Sequence, residues 1–183
     1  MLILCLGGAR SGKSSVTLRL AMAAPADPGV TFIATCPRLD GDDDLSSRID
    51  THRAERPPEW ATIEEEHDLV RALTDAGDTF CVIDCLTLWV SNLIHRGDDD
   101  ATIERLARET AATARDRADR GATTVVVSNE VGSGVHPSSE LGRRYRDLLG
   151  RVNQFWAAAA DRSLLLVAGR ALELHDPFTL LAE

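Results

Sequence analysis

The sequence predicts an α/β domain in which a doubly wound, mostly parallel sheet is flanked by helices. Two observations carry that expectation. Five short apolar runs are uninterrupted rather than alternating, as strands buried on both faces of a parallel sheet are. Longer amphipathic stretches separate them, so strand and helix alternate along the chain. With 183 residues and no internal repeat or dividing linker, we read 1–183 as a single domain with one sizeable core.

The elements follow in order. "LILCL" (2–6) is the first strand, and residues 13–23 the first helix. "VTFIA" (30–34) is the second strand, with helices expected over about 43–56 and over 64–76. Pro57 and Pro58 end the former, because proline lacks the amide and crowds the residue before it. "FCVID" (80–84) precedes helices over 86–96 and 101–120, with "GDDD" (97–100) as a solvated turn and helix start. Gly121 closes the second of these, the usual place for a C-terminal glycine. "TTVVVS" (123–128) leads to a helix over 138–160, where Leu141, Tyr145, Leu148, Val152, Phe155 and Ala159 form one apolar stripe. "SLLLVA" (163–168) is the last strand.

The formal net charge of −9 and pI near 5.0 disfavour nucleic acid or an anionic membrane as partner, since either needs a basic face. No apolar run approaches the roughly 20 residues that span a bilayer. The first residues have no positive stretch ahead of their apolar run, so they do not read as a signal peptide. Cys5, Cys36, Cys81 and Cys85 form no CxxC pair, three lie in or beside apolar runs, and all read as reduced core residues of a cytoplasmic protein.

One motif carries chemistry by itself. "GGARSGKS", comprising Gly7, Gly8, Ala9, Arg10, Ser11, Gly12, Lys13 and Ser14, matches G-x-x-x-x-G-K-[ST] and directly follows the first strand. Such a loop turns its backbone amides and the next helix's positive end toward phosphates. Lys13 then reaches the β/γ-phosphates and Ser14 can ligate Mg²⁺. A P-loop site also needs an acid at another strand end to orient the magnesium, and Asp84 stands there. Asp84 also suits a helix N-cap. Asn129 and Glu130, ending the fourth strand, face the same crevice or serve as caps. The loop by itself specifies only a nucleoside triphosphate, because kinases, switches and ATPases share it.

"RIDTHRAERPPEW" (48–60) gathers charge around one histidine. In a helix over 43–56, Arg48, His52 and Arg56 share a face, with Arg53 beside it. A neutral imidazole is a nucleophile toward phosphorus, and guanidinium groups hold the phosphates it attacks. The arginines also lower its pKa by like-charge repulsion. The same spacing describes a solvated face on which Asp50 and Glu55 pair with the arginines, and spacing alone favours that plainer reading. His67, His95, His136 and His175 have no partner at metal-ligand spacing.

These segments together resemble the bifunctional adenosylcobinamide kinase/adenosylcobinamide-phosphate guanylyltransferase family of cobalamin biosynthesis. The resemblance runs almost end to end: the phosphate loop, "FIAT" ending at Thr35, "RIDTHRAERPPEWATIE", "DCLTLWVSNL", "VVVSNEVGSG", "RYRDLLGRVNQ" and "AGRALEL". It implies a RecA-like P-loop NTPase fold, a homotrimer, and two reactions. The first phosphorylates the aminopropanol hydroxyl of adenosylcobinamide with ATP or GTP. The second takes GMP from GTP onto a histidine, here His52, and passes it to adenosylcobinamide phosphate to give adenosylcobinamide-GDP. Nucleotide contacts carry over to Thr35, Arg53, Ala54, Glu55, Arg56, Glu64 and Asp84, with Mg²⁺ held by Ser14 and Asp84.

The chain departs from the family pattern at Asp44-Leu45, His136 and Ala171, none of which touches the loop or the histidine. Two rivals are a single-activity P-loop kinase for another small alcohol, and a non-catalytic nucleotide-dependent switch. Neither needs a histidine between arginines. No motif reads a corrin ring, and Trp60, Trp89 and Trp156 suit packing at least as well.

Overall fold

The computed structural model describes residues 1–37, 53 and 56–179. The helix expected over 43–56 lies outside the described residues except at Arg53 and Arg56, and His52, Arg48, Ala54 and Glu55 lie outside with it.

Seven strands form one sheet: β1 (Leu2–Gly7), β2 (Val30–Ala34), β3 (Ala61–Glu64), β4 (Phe80–Asp84), β5 (Thr124–Asn129), β6 (Arg162–Val167) and β7 (Arg170–Leu174). Their order is β3-β2-β4-β5-β1-β6-β7, and every neighbouring pair is parallel except β6 with β7. One strand, β5, separates β1 from β4. The helices are α1 (Lys13–Met22), α2 (Leu69–Asp75), α3 (Leu86–Arg96), α4 (Asp100–Asp119) and α5 (Glu140–Ala159).

The apolar strand runs are buried on both faces, and successive residues divide between them. Leu2, Leu4 and Leu6 of β1 join the large core with Trp89 of α3, Ile103 of α4 and Trp156 of α5. Ile3 and Cys5 turn to the opposite face, against Val16 and Leu20 of α1. That alternation is the pleat acting on an all-apolar run. Trp89 and Trp156 are fully buried, so both pack the core as expected.

Capping fixes the long helices where sequence placed them. Asp99 accepts from the Thr102 amide at the start of α4, and Ser139 from the Gly142 amide at the start of α5. Two expectations need correction. The helix over 64–76 begins only at Leu69, because Glu64 ends β3 and the Glu65 carboxylate accepts from the His67 and Asp68 amides in a turn. The chain also continues past the last expected strand into β7. The turn between them is Ala168 and Gly169, both at positive φ (50° and 73°). Such a two-residue turn matches the twist of a hairpin but usually shows Asn-Gly rather than alanine.

Candidate functional site

The phosphate loop joins β1 to α1 at the carboxyl end of the sheet, where β2, β4 and β5 also end. Gly12 is the N-cap of α1 and, being glycine, makes no side-chain cap, which leaves the first-turn amides of α1 for an anion. Lys13 is buried, and its Nζ donates to the carbonyls of Gly7 (2.8 Å) and Gly8 (2.7 Å). Burial lowers its pKa, with neighbouring Cys85 and the Asp84 carboxylate pulling the other way. A phosphate beside it supplies the opposite charge that burial has taken from its water shell.

The β6–β7 hairpin clamps this loop, which the sequence did not reveal. The Gly169 amide donates to the Ser11 carbonyl at 2.9 Å. A Cβ on Gly7 would stand 2.5 Å from the Leu166 carbonyl oxygen, so β6 demands glycine there by close approach.

Asp84 is the last residue of β4, and Ser14 and Asp84 line one small cavity with Thr17, Leu18 and Phe32. The N-cap of α3 is Cys85, which makes no side-chain cap. A hydroxyl and a carboxylate oxygen are donors that suit a hard cation such as Mg²⁺. Among the described residues no group of three His, Cys, Asp or Glu gathers to hold a metal.

Thr35 sits one residue beyond β2 and is fully buried. Its hydroxyl donates to the Cys85 carbonyl (2.8 Å) and accepts from the Cys85 amide (2.7 Å), while its own amide donates to the Asp84 carbonyl. Its side chain thus fixes the Asp84–Cys85 turn. The Cys85 thiol is pushed up to about 12, by burial first and Asp84 second, so it is no nucleophile.

Arg53, Arg56 and Glu64 come together at the β3 edge. Arg53 pairs loosely with Glu64 at 3.9 Å, and Arg56 lies 4.0 Å over the Phe32 ring and donates to Thr62. Both arginines line a cleft of about 450 Å³ with Pro57, Pro58, Trp60 and Thr62. Burial first, then Arg53, lowers the Arg56 pKa, so an added anion is favoured beside this pair of cations.

At the end of β5 the Asn129 amide donates to Thr87 and its carbonyl accepts from Asn153. Asn129 thereby ties β5 to α3 and α5. Glu130 stands beside the loop, its amide donating to the Gly7 carbonyl and its carboxylate accepting from Gly132. The other residues that hold the strand ends were not singled out from sequence. Asn92 donates to the carbonyls of Thr35 and Glu66, and Ser128 donates to Asn153. Their only signal is a polar residue on an otherwise apolar helix stripe or strand.

The chain is similar in sequence to known proteins. A family model described as "Cobinamide kinase / cobinamide phosphate guanyltransferase" matches residues 3–174. The bifunctional adenosylcobalamin biosynthesis protein CobP of Pseudomonas aeruginosa is 40% identical over 174 residues, covering 93% of this chain and 95% of that protein. CobU of Salmonella typhimurium, described in the same words, is 39% identical over 186 residues, covering 95% and 99%. CobU of Escherichia coli is 38% identical over 187 residues, again covering 95% and 99%.

Proposed function

Because the chain belongs to the cobinamide kinase/cobinamide phosphate guanyltransferase family, we propose that its single domain carries both reactions at one nucleotide site. The observation that carries this reading is the phosphate loop holding buried Lys13, with Ser14 and Asp84 on one cavity beside it.

In the kinase step the triphosphate of ATP or GTP lies along Gly7 to Ser14, held by the loop amides and Lys13. The aminopropanol hydroxyl of adenosylcobinamide attacks the γ-phosphorus, and the nucleoside diphosphate leaves. Glu130, fixed beside Gly7, is our candidate acceptor for the hydroxyl proton. Mg²⁺ held by Ser14 and Asp84 would neutralise phosphate charge as it shifts to the leaving oxygen. Lys13 and the loop amides stabilise the same charge, which is the dominant effect in such transfers.

In the guanylyl step a His52 ring nitrogen attacks the α-phosphorus of GTP. The P–O bond to the β-phosphate breaks, pyrophosphate leaves, and the ring loses its other proton. The phosphate of adenosylcobinamide phosphate then attacks the same phosphorus, the P–N bond breaks, and adenosylcobinamide-GDP forms. Arg53, Arg56 and Glu64, with Ala54 and Glu55, border the nucleotide in this reading; the cationic cleft at Arg53 and Arg56 supports it.

GTP labelled at the α-phosphate tests the proposal. The protein should take up acid-labile, alkali-stable label, and adenosylcobinamide phosphate should chase it off. Retention of label by His52→Ala would sink the assignment. We further infer a homotrimer working in the cytoplasm. The edge hairpin leaves Val167, Leu172 and Leu174 exposed and Phe178 beyond it, a patch suited to a second copy. Four free cysteines fit a reducing compartment. Sedimentation equilibrium at micromolar protein should return three times the 19.8 kDa chain mass; a monomer there contradicts the trimer.

A further inference from the structure

A groove runs along the outer face of α3. Its first part, about 440 Å³, is bordered by Cys36, Pro37, His67 and Leu88, and its second, about 280 Å³, by Leu141 and Tyr145. Ser91 and His95 line both parts, so the two adjoin along one face of α3. Leu88, Ser91 and His95 follow at steps of three and four on one helix face, about 10 Å from end to end.

The groove starts at the site already described. Cys36 follows Thr35, whose hydroxyl fixes the Asp84–Cys85 turn, and α3 begins immediately after that turn. A ligand in the groove would therefore hold one end beside the Asp84–Cys85 turn. The walls are built rather than incidental. Asn92 bonds the carbonyls of Thr35 and Glu66, and the Trp89 indole donates to the His67 carbonyl, pinning floor and wall to the core. Leu141 at the far rim is 53% exposed, an apolar side chain left facing solvent. Among the described residues neither the His67 nor the His95 imidazole has a hydrogen-bond partner.

Leu88, Pro37 and Leu141 offer apolar contact, Ser91, His67 and His95 offer donors and acceptors, and Glu66 and Arg96 add one charge of each sign. Sites for large ligands combine these features: mostly apolar walls, few placed polar groups, and a preformed shape of several hundred Å³. The acceptor has matching chemistry, namely a broad apolar macrocycle rimmed with amides and carrying one arm that ends in the reacting hydroxyl or phosphate. We propose that this groove seats the corrin macrocycle, its arm passing Cys36 to reach the phosphate loop. The proposal rests on the bifunctional reading above.

Ser91→Trp fills the wall common to both parts, and Leu141→Glu places a charge at the exposed rim without touching the core. Binding of adenosylcobinamide is measured by equilibrium dialysis, and covalent uptake of α-labelled GTP is measured without corrinoid. Both variants should weaken corrinoid binding, Ser91→Trp by tenfold or more and Leu141→Glu severalfold, with label uptake within twofold of the parent. Parent-like corrinoid binding in both variants overturns the groove. So does loss of label uptake by folded Leu141→Glu, which makes the groove part of the nucleotide site. If the parent itself binds no adenosylcobinamide, the bifunctional reading falls, and the groove assignment with it.

Discussion

Lys13 and Thr35 show how differently two residues of one site are written in the sequence. The loop motif places Lys13 beside the loop's own backbone, and in the structure its buried Nζ donates to the Gly7 and Gly8 carbonyls. Family likeness alone places Thr35 among the expected nucleotide contacts. In the structure both hydrogen-bonding capacities of its hydroxyl are used by Cys85, at 2.8 and 2.7 Å. No sequence pattern announces such a bond, because its partner lies 50 residues away. What Thr35 gives the site is the position of Asp84. Thr35→Val keeps the shape and strands a buried amide, so it should cost about 1–3 kcal/mol of stability. It should also weaken magnesium-dependent nucleotide binding more than metal-free binding. Urea unfolding and nucleotide titrations with and without magnesium check both; equal weakening in the two titrations would refute the positioning role.

At the scale of elements, legibility followed burial. The five runs buried on both faces, and the helices α3, α4 and α5, matched their expected spans to within about two residues, the usual uncertainty of helix ends. The two edge strands escaped. β3 has four residues with none buried, and β7 is half-polar "RALEL" with its apolar side chains exposed. Neither shows the continuous apolar run of a central strand nor enough length for a convincing alternation. The turn that launches β7 carries alanine in a conformation usually signalled by asparagine or aspartate, so it read as strand continuation. Both missed edges matter to function. β3 ends in Glu64 beside the arginines, and the β6–β7 turn clamps the phosphate loop through Gly169.

Over the whole molecule, the amino edge of the sheet at β1 and β6 is held by charge. Asp161, just ahead of β6, accepts from the Leu2 amide at 2.7 Å and from Arg115 of α4 at 2.6 Å. It therefore joins the start of β1 to the helical layer, while the N-terminal ammonium bonds the Ala122 carbonyl close by. The Arg115 guanidinium first, and the Leu2 amide next, hold the Asp161 carboxyl below its ordinary value of 3.8. A carboxylate depressed in the folded state contributes stability that is fully present above the unfolded value. That contribution fades as pH falls through the folded value, because the folded chain then takes up the proton it had resisted. Asp161→Asn removes the charge and keeps the size. Its urea midpoint should lie below the parent's at pH 7 and converge on it as pH falls below 3.8 toward the depressed folded value. A constant gap between the two midpoints across that range would place the stabilisation in shape rather than charge. Asp161 meets Leu2 and Arg115 rather than the phosphate loop, so GTP should bind equally to both proteins at pH 7.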